Sequence, residues 1–226
     1  MINSNRIEKI CSLVSSNTVA EIGCDHAYIL KNLFETKPID CAFATDISNL
    51  CLNKARKNLS GYLHKVYFYV GDGLDPLEDV LGPKVAKFVP VDIIIAGMGG
   101  KEIIKILENA TKFHRENVTF ILQPQKNCDM VRKFLMEHNF LIEQDIVAKD
   151  GKMFYNILSC KINYEQNTLT DEQIEFGLGT QKDSDFYEYL SFEKAKCERI
   201  LSKKKVARVQ RRLDLLKKIC KENKNV

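Results

Sequence analysis

Short apolar runs alternate with amphipathic segments along the first 162 residues. Runs of about five apolar residues predict strands, and apolar positions spaced by three or four predict the helices between them. The run that begins at Val91 is the most apolar, which is typical of a strand buried on both faces at the centre of a parallel sheet. The expected strands are 18–22, 41–45, 66–70, the run from 91, 118–122, 141–147 and 153–162.

The connections between these strands predict the fold class. Helices are expected at 4–15, 28–34, 49–59, 101–108 and 129–138, so the first five strands alternate with helices, as in parallel sheets. The last two strands flank an Asp150-Gly151 pair, which predicts a hairpin turn. We therefore expect an α/β, Rossmann-like fold with a seven-stranded, mostly parallel sheet and an antiparallel final strand.

The pattern changes after Ile162. Residues 163–183 are polar, with a break expected at 176–179, and residues 184–221 contain neither Gly nor Pro. This last stretch predicts a coiled-coil hairpin of two antiparallel helices with a turn near 202–205, and one continuous helix is the alternative. A heptad seam supports the coiled-coil hairpin, and it consists of Val206, Val209, Leu213, Leu216 and Cys220. We expect two domains, 1–162 and 163–226.

The composition fits one α/β domain with a small extension. The chain has 226 residues, 45% of them hydrophobic, which is enough to bury a core. No run approaches the roughly 18 apolar residues of a membrane helix, and the N-terminus lacks a signal-sequence pattern. The eight cysteines form no C-x-x-C pair, so no metal site is expected. We expect a cytoplasmic monomer without a metal or a membrane partner.

Positive charge is concentrated at the C-terminus. Residues 191–226 contain 13 Lys and Arg against 4 Asp and Glu, so they carry +9 within a net charge of +4, and residues 1–190 carry −5. A basic appendage on a mildly acidic domain indicates a polyanionic partner such as a nucleic acid. The alternative is a solvated helical face whose lysines serve solubility.

The stretch 19–28 predicts a strand, a tight turn and a helix start. Such a turn lies at the carboxyl end of a strand, where α/β folds bind ligands, and Gly23 allows close approach. The stretch lacks G-x-G-x-x-G because Asp25 and Ala27 take two of the glycine positions. A carboxylate there repels a pyrophosphate but suits an ammonium group, which favours S-adenosylmethionine over a nicotinamide cofactor. A turn without a ligand is the alternative.

Two further acids follow strands at compatible positions. Asp46 comes 23 residues after Gly23, where an acid can accept hydrogen bonds from ribose hydroxyls, although it could also cap the following helix. Asp72, in Gly71-Asp72-Gly73, can accept the adenine amino group, unless it belongs to an ordinary turn. The expected cofactor-binding residues are Glu21, Gly23, Asp25, His26, Asp46, Ile47, Asp72, Gly73, Ala96, Gly97 and Met98.

Three glycines in four positions, 97–100, end the central strand. This turn favours close approach by a flat ligand and lacks the Gly-Lys-Ser/Thr ending of a phosphate loop. Seven strands with acids at the ends of the first three match the plan of class I methyltransferases. Acceptors near a transferred methyl group would come from Asp25, Gly97 and Gln123, which are the expected catalytic residues.

Four motifs together resemble the bacterial tRNA (adenine-22-N1)-methyltransferase family, TrmK, and the likeness covers nearly the whole chain. They are Glu21-Ile22-Gly23-Cys24-Asp25-His26-Ala27-Tyr28, Ile95-Ala96-Gly97-Met98-Gly99-Gly100, Leu122-Gln123-Pro124 and Asp150-Gly151-Lys152. The chain departs from the usual family pattern at Glu21, Cys24, Leu30 and Asn156.

The resemblance implies methyl transfer from S-adenosylmethionine to N1 of an adenosine in tRNA, with position 22 as the expected target. The basic hairpin would then hold the tRNA backbone. His26 could move a proton or cap the helix, and capping is favoured. Two alternatives remain at this point: a methyltransferase for a small molecule or another RNA, and a non-catalytic RNA-binding protein.

Overall fold

Seven strands form one sheet in a computed structural model that describes residues 4–87, 89–164 and 168–222. The strands are β1 (Thr18–Ile22), β2 (Cys41–Asp46), β3 (Val66–Val70), β4 (Val91–Gly99), β5 (Val118–Lys126), β6 (Phe140–Asp150) and β7 (Met153–Ile162). Their order is β3-β2-β1-β4-β5-β7-β6, and β7 is the one strand that runs antiparallel to the rest of this sheet. The fold class predicted from the sequence is thus confirmed.

Helices cover both faces of the sheet. One face packs against α5 and α6 through side chains such as Ile103 and Leu135, and the other packs against α1, α2 and α3 through side chains such as Ile10. The helices are α1 (Asn5–Leu13), α2 (Tyr28–Thr36), α3 (Asn49–Asn58), α4 (Gly82–Ala86), α5 (Gly100–Asn109), α6 (Cys128–Glu137), α7 (Asp171–Phe176), α8 (Ser184–Leu201) and α9 (Ala207–Glu222). None of the described helices is both long and apolar enough to cross a membrane.

The β4 strand lies between β1 and β5, as its apolar sequence predicts. Ile93 and Ile95 belong to the core on one face and Ile94 to the core on the other, and all three are fully buried. Burying an isoleucine side chain stabilises a fold by about 1.5–3 kcal/mol. This strand therefore anchors the turn at 97–100 to the buried core on both faces of the sheet.

The segment 163–183 contains a helix that its polar sequence did not predict. Thr170 caps α7 through its hydroxyl and forms a reciprocal capping box with Gln173. The helix ends at the fully buried Phe176, and Gly177 follows with φ of 98°. The expected break at 176–179 is present, but a docked helix precedes it.

A buried ion pair holds this segment against the sheet domain. Arg132 of α6 donates to both carboxylate oxygens of Asp145 at 2.8 and 2.9 Å, and both side chains are fully buried. Arg132 also donates to the carbonyl of Ile174 and to Asn156, while the Leu178 N–H donates to Asp145. Four of the five guanidinium N–H donors thus have an acceptor, as burial of charge requires.

The C-terminal segment is a hairpin of two helices, which confirms the first of the two alternatives. Residues 202–206 connect α8 to α9, and Leu213 and Leu216 of the predicted seam are buried between the helices. This third cluster also includes Val147 of β6, so the hairpin packs on the sheet domain.

Candidate cofactor and base site

The first strand–helix turn has a constrained backbone. Gly23 has φ of 67°, and the non-glycine residues Asp25 and Ala27 also have positive φ, 43° and 52°. Such conformations are costly for residues with a Cβ and tend to occur at functional sites. Backbone hydrogen bonds stabilise the turn, because the Cys24 N–H donates to Thr45 and the Ala27 N–H donates to Cys24.

Asp46 joins this turn to the end of β2. One carboxylate oxygen accepts the Asp25 N–H at 3.1 Å, and the other accepts the Ser48 N–H at 2.9 Å. Ser48 is the N-cap of α3, since its hydroxyl accepts the Cys51 N–H. Asp46 is therefore not the cap, and each of its oxygens keeps a lone pair, which fits a pair of ribose hydroxyls.

Gly23 and Met98 are brought together across the sheet edge. A Cβ atom at position 23 would overlap the Met98 methyl group, so the thioether occupies the space that a ligand would approach. Methionine is flexible and adapts to a neighbouring ligand. Ile47, which follows the end of β2, is 75% exposed, which leaves an apolar side chain for a flat ring to cover.

Glu21 lies beneath the turn and is buried. Its carboxylate accepts the Leu30 N–H at 3.4 Å in the first turn of α2. Burial raises the pKa of Glu21 to about 8, and the Leu30 N–H and Arg6 only partly oppose the effect. At neutral pH the group is therefore mostly protonated, until a cation approaches it.

His26 does not cap α2, so the favoured interpretation of this residue was wrong. Ala27 is the N-cap and makes no side-chain cap, whereas the buried Glu21 accepts an N–H of the first helical turn. The His26 ring stacks on Tyr28, with ring centroids 5.2 Å apart, and its Nε2 lies 3.9 Å from Asp25.

Asp25 points toward α3. Its side chain is 57% exposed and lies 3.6 Å from the Lys54 ammonium. No hydrogen bond or ion pair of the described residues joins Asp25 to Gly97 or Gln123. All three expected catalytic residues lie at the same edge of the sheet, and Arg6 links two of them, since its Nη1 lies 2.8 Å from Gln123 Oε1 and 3.9 Å from the position of a Cβ at Gly97.

Asp72 and Gly73 follow β3 at this edge. The Asp72 carboxylate is paired with Lys105 of α5 at 3.2 Å, and the backbone carbonyl of Gly73 accepts a hydrogen bond from Thr45. An adenine amino group would have to compete with the lysine for Asp72. The structure thus gives Asp72 a protein partner in the absence of a ligand.

The glycines at 97–100 have different roles. Gly97 has φ of 79°, and a hypothetical Cβ there would lie 3.8 Å from Gln125 Nε2 and 3.9 Å from Arg6 Nη1, so the ends of two flexible side chains lie beside its turn. A Cβ at Gly100 would lie 2.6 Å from the backbone oxygen of Asn127. The expectation that all these glycines admit a flat ligand was wrong at Gly100, where the chain's own backbone makes the close approach.

Gln123 is paired with Ala96 in the register of β4 and β5, which places it beside the glycine turn. It is fully buried, and Arg6 Nη1 donates to its Oε1 at 2.8 Å. Its Nε2 has no hydrogen-bond partner in the described part of the chain. The Arg6 guanidinium also lies 5.4 Å from the Tyr155 ring centroid.

Arg6 and Tyr155 are the site residues that sequence reasoning missed. Arg6 lies on an amphipathic helix before the first strand, and Tyr155 lies in the final hairpin, more than 30 positions from Gln123. No local pattern marks either residue. A cation on α1 facing the carboxyl ends of β4 and β5 could be found only from the packing of α1 on the sheet.

Within the described residues, no group of three or more His, Cys, Asp or Glu could hold a metal ion. All eight cysteines are free thiols. Burial raises the pKa of Cys24 and of Cys160 above the ordinary range, so both remain protonated at neutral pH. The chemistry available at this edge is therefore hydrogen bonding, charge and backbone carbonyl groups.

Comparison with known proteins places this geometry in a family. A family described as "Methyltransferase domain" matches residues 3–158. A Mycoplasma pneumoniae protein provisionally named a tRNA methyltransferase is 30% identical over 177 residues, which cover 76% of this chain and 78% of that protein. The tRNA (adenine(22)-N(1))-methyltransferase of Bacillus subtilis is 28% identical over 155 residues, covering 67% and 62%.

Solved structures agree with this assignment over almost the full length. A Streptococcus pneumoniae protein provisionally assigned as a tRNA (m1A22) methyltransferase, in complex with S-adenosyl-L-methionine, has a TM-score of 0.81 at 28% identity, covering 96% of this chain and 98% of that chain. TrmK of M. capricolum, in complex with S-adenosyl-homocysteine, has a TM-score of 0.79 at 23% identity over 97% and 98%, which shows the fold. The chain therefore belongs to the methyltransferases and, within them, to the TrmK family of tRNA methyltransferases.

Proposed function

We propose that this protein transfers the methyl group of S-adenosylmethionine to N1 of adenosine 22 in tRNA. One observation carries the proposal: the Gly23 turn, the Asp46 carboxylate and the Gly97 turn meet at one sheet edge. The first two suit a nucleoside with an amino-acid moiety, and the third would offer backbone carbonyls to a second flat ring. Membership in the TrmK family supports tRNA as the source of that ring.

The residues present fit the cofactor. Asp46 would accept the ribose hydroxyls, Glu21 and Asp25 would face the ammonium group, and Ile47 would cover the adenine. When bound, S-adenosylmethionine supplies a methyl group that a lone pair can attack, with S-adenosylhomocysteine as the leaving group. Asp72 would hold the adenine amino group only after release from Lys105.

Adenine N1 already has a lone pair, so the protein needs to position the base rather than create a nucleophile. The base becomes cationic as N1 gains the methyl group, and acceptors facing its amino group stabilise that charge. We assign this role to the carbonyls of Ala96 and Gly97 and to the remaining lone pair of Gln123 Oε1. Asp25 lies toward Lys54 and would face the reacting atoms only if its side chain turned. We therefore assign it to binding the ammonium group.

The hairpin supports the proposed tRNA contact, but fewer of its cations are available than the sequence suggests. Five pair with acidic residues of the protein itself; these are Lys196, Arg208, Arg211, Arg212 and Lys218. Within the described residues, no ion pair involves Arg199 in the last turn of α8, or Lys203, Lys204 and Lys205 in the connection to α9. We assign phosphate contacts to this hairpin turn, since free cations release counterions on binding a polyanion.

The division into domains 1–162 and 163–226 belongs to the same proposal. The separate cluster of the hairpin supports it, whereas Val147 and the Arg132 network tie the two parts together. Free thiols favour a reducing cytoplasm. A monomeric state remains a prediction.

One assay tests the proposed function directly. The protein is incubated with a methyl-labelled donor and unmodified tRNA, and the modified nucleoside is mapped by mass spectrometry. We expect 1-methyladenosine at position 22. Labelling of free nucleotides without RNA would favour the small-molecule alternative, and tRNA binding without donor binding would favour a non-catalytic protein.

A further inference from the structure

A cleft of about 390 Å³ lies between the sheet domain and the hairpin. Its walls are residues 124–129, which span the end of β5 and the start of α6, the start of β7, and one face each of α8 and α9. The β6–β7 turn lies at the same sheet edge as the ends of β1–β5, because β7 is antiparallel to both of its neighbours. The cleft therefore opens beside the proposed methyl-transfer site and is separate from it.

An exposed aromatic ring forms one wall of this cleft. Phe192 of α8 is 48% exposed, and its ring centroid lies 5.3 Å from that of Phe154. Phe154 in turn lies 6.0 Å from the buried Tyr189 ring, which fixes it from behind. Met153, which is 59% exposed, adds a second apolar surface. A supported ring with one open face is the arrangement on which proteins stack unpaired bases.

The charge of the cleft is positive. It is lined by five Lys and Arg side chains and by three carboxylates, and each carboxylate already has a cation partner. Lys126 and Lys152 form no ion pair in the part of the chain that the structure describes. Lys196 lies 6.0 Å from the Phe192 ring, next to the stacking surface. Unpaired ammonium groups in the same cleft as an aromatic ring match a nucleotide, which combines a flat base with a phosphate.

The cleft is continuous with the catalytic edge. Lys126 is paired with Gly99 in the register of β4 and β5, and its Cε lies 3.2 Å from the position of a Cβ at Gly99. The opposite wall carries Arg208 of α9, which pairs with Asp129 at 3.2 Å at the start of α6. A tRNA strand that passes from the Gly97 turn along Lys126 would therefore enter the cleft next.

We propose that this cleft binds a second, unstacked nucleotide of the RNA substrate, close in sequence to the methylated adenosine, with its base stacked on Phe192. The inference rests on the proposed function, because the occupant is a nucleotide of the same tRNA. Lys126 and Lys152 neutralise its phosphates. The target base must itself leave its pairing to expose N1, and a neighbouring base held in the cleft stabilises that opened strand.

The test measures tRNA affinity of the full-length protein at fixed salt by filter binding. Phe192→Ala is expected to weaken the binding of unmodified tRNA by about 5- to 150-fold, the range for loss of one base–aromatic stack. Phe192→Trp retains a ring and should bind within about twofold of the wild type. Tyr164→Ala is the matched control, because Tyr164 is 76% exposed and follows β7 at the opposite sheet edge.

A second arm identifies the nucleotide. Single abasic substitutions are made in the tRNA on either side of the target. One of them should weaken wild-type binding and have no further effect on Phe192→Ala, since both changes remove the same stack. Replacing Lys126 and Lys152 with glutamine should make the slope of log affinity against log salt less negative, by the amount expected for the loss of about two phosphate contacts.

The outcomes separate the two proposals. If the wild type methylates no tRNA, the proposed function fails. If it methylates tRNA while Phe192→Ala binds tRNA as the wild type does and no abasic substitution matters, only the cleft proposal is overturned. Unchanged thermal unfolding and unchanged S-adenosylmethionine affinity in Phe192→Ala would show that any loss of tRNA binding arises in the cleft.

Discussion

Arg6 Nη1 donates a hydrogen bond to Gln123 Oε1 at 2.8 Å. A guanidinium group has only donors, so this contact fixes which end of the buried amide faces α1 and leaves the amide NH₂ without a partner in the described residues. Gln123 was expected as an acceptor for the target adenine. The contact leaves one lone pair for that role and adds a free donor beside it.

Gln123→Leu should therefore reduce kcat more than it changes KM for tRNA. The leucine fills similar space but removes the amide, and we expect kcat to fall on the order of tenfold to a hundredfold. Steady-state methylation with tRNA checks this. Glu8→Gln, an exposed change on the same helix as Arg6, is the control. An unchanged kcat in Gln123→Leu would exclude the amide from the reaction.

Asp46→Ala should abolish most cofactor affinity. The carboxylate is the proposed acceptor for two ribose hydroxyls, and two such charge-assisted bonds correspond to at least about a hundredfold in affinity. Asp72→Ala should have a smaller effect, because Lys105 already engages that carboxylate. Calorimetric titration with S-adenosylmethionine compares the two variants. Equal losses would contradict the assignment of distinct roles.

Cofactor binding should release a proton near neutral pH. Burial raises the pKa of Glu21 to about 8, and an incoming ammonium group would lower it again. Affinity for S-adenosylmethionine should then increase as pH rises from about 6 to about 8. Titrations in buffers of different ionisation enthalpy measure the proton directly. A pH-independent affinity would remove Glu21 from contact with the ammonium group.

The same group predicts how stability depends on pH. The folded pKa of Glu21 lies above its ordinary value, so its contribution to stability is complete below about pH 4.5 and is lost as pH rises through about 8. The Glu21→Gln variant has a side-chain amide that stays neutral at all pH values. The difference in the free energy of unfolding between pH 6 and pH 9 should therefore be smaller in this variant, as measured by urea titration.

Replacing Arg199, Lys203, Lys204 and Lys205 with glutamine should weaken tRNA binding without affecting the cofactor. The loss of four phosphate contacts would make the slope of log affinity against log salt less negative by about three to four. Lys133→Gln and Lys161→Gln remove cations that already pair with Glu137 and Glu143, so they serve as controls. An unchanged salt slope would place the tRNA elsewhere.

Asp145→Ala should destabilise the protein by about 3–5 kcal/mol, because it leaves the Arg132 charge buried without a counterion. Glu137→Ala, which breaks the exposed pair with Lys133, should cost less than about 1 kcal/mol. Urea unfolding compares the two variants. A similar small effect in both would mean that water replaces Asp145 around Arg132.

The sequence by itself determined the strands, the mostly parallel fold and the positions of the turns that we propose bind the cofactor. Strand periodicity and runs such as 91–97 are local signals, because burial on one or both faces of a sheet dictates the side chain at each position. The shared location of Asp25, Asp46 and Asp72 at one edge was predicted because the carboxyl ends of parallel strands lie at the same edge of a sheet.

Only the tertiary structure decided the partners of those residues. Arg6 reaches Gln123 from a helix 117 positions away in the chain, and Phe192 meets Phe154 because the hairpin folds back on β6 and β7. The sequence showed thirteen cations in the tail, yet ion pairs with α6, α7 and α8 engage five of them. Hydrogen bonds and ion pairs of this kind depend on distances between remote segments, and no periodicity along the chain encodes them.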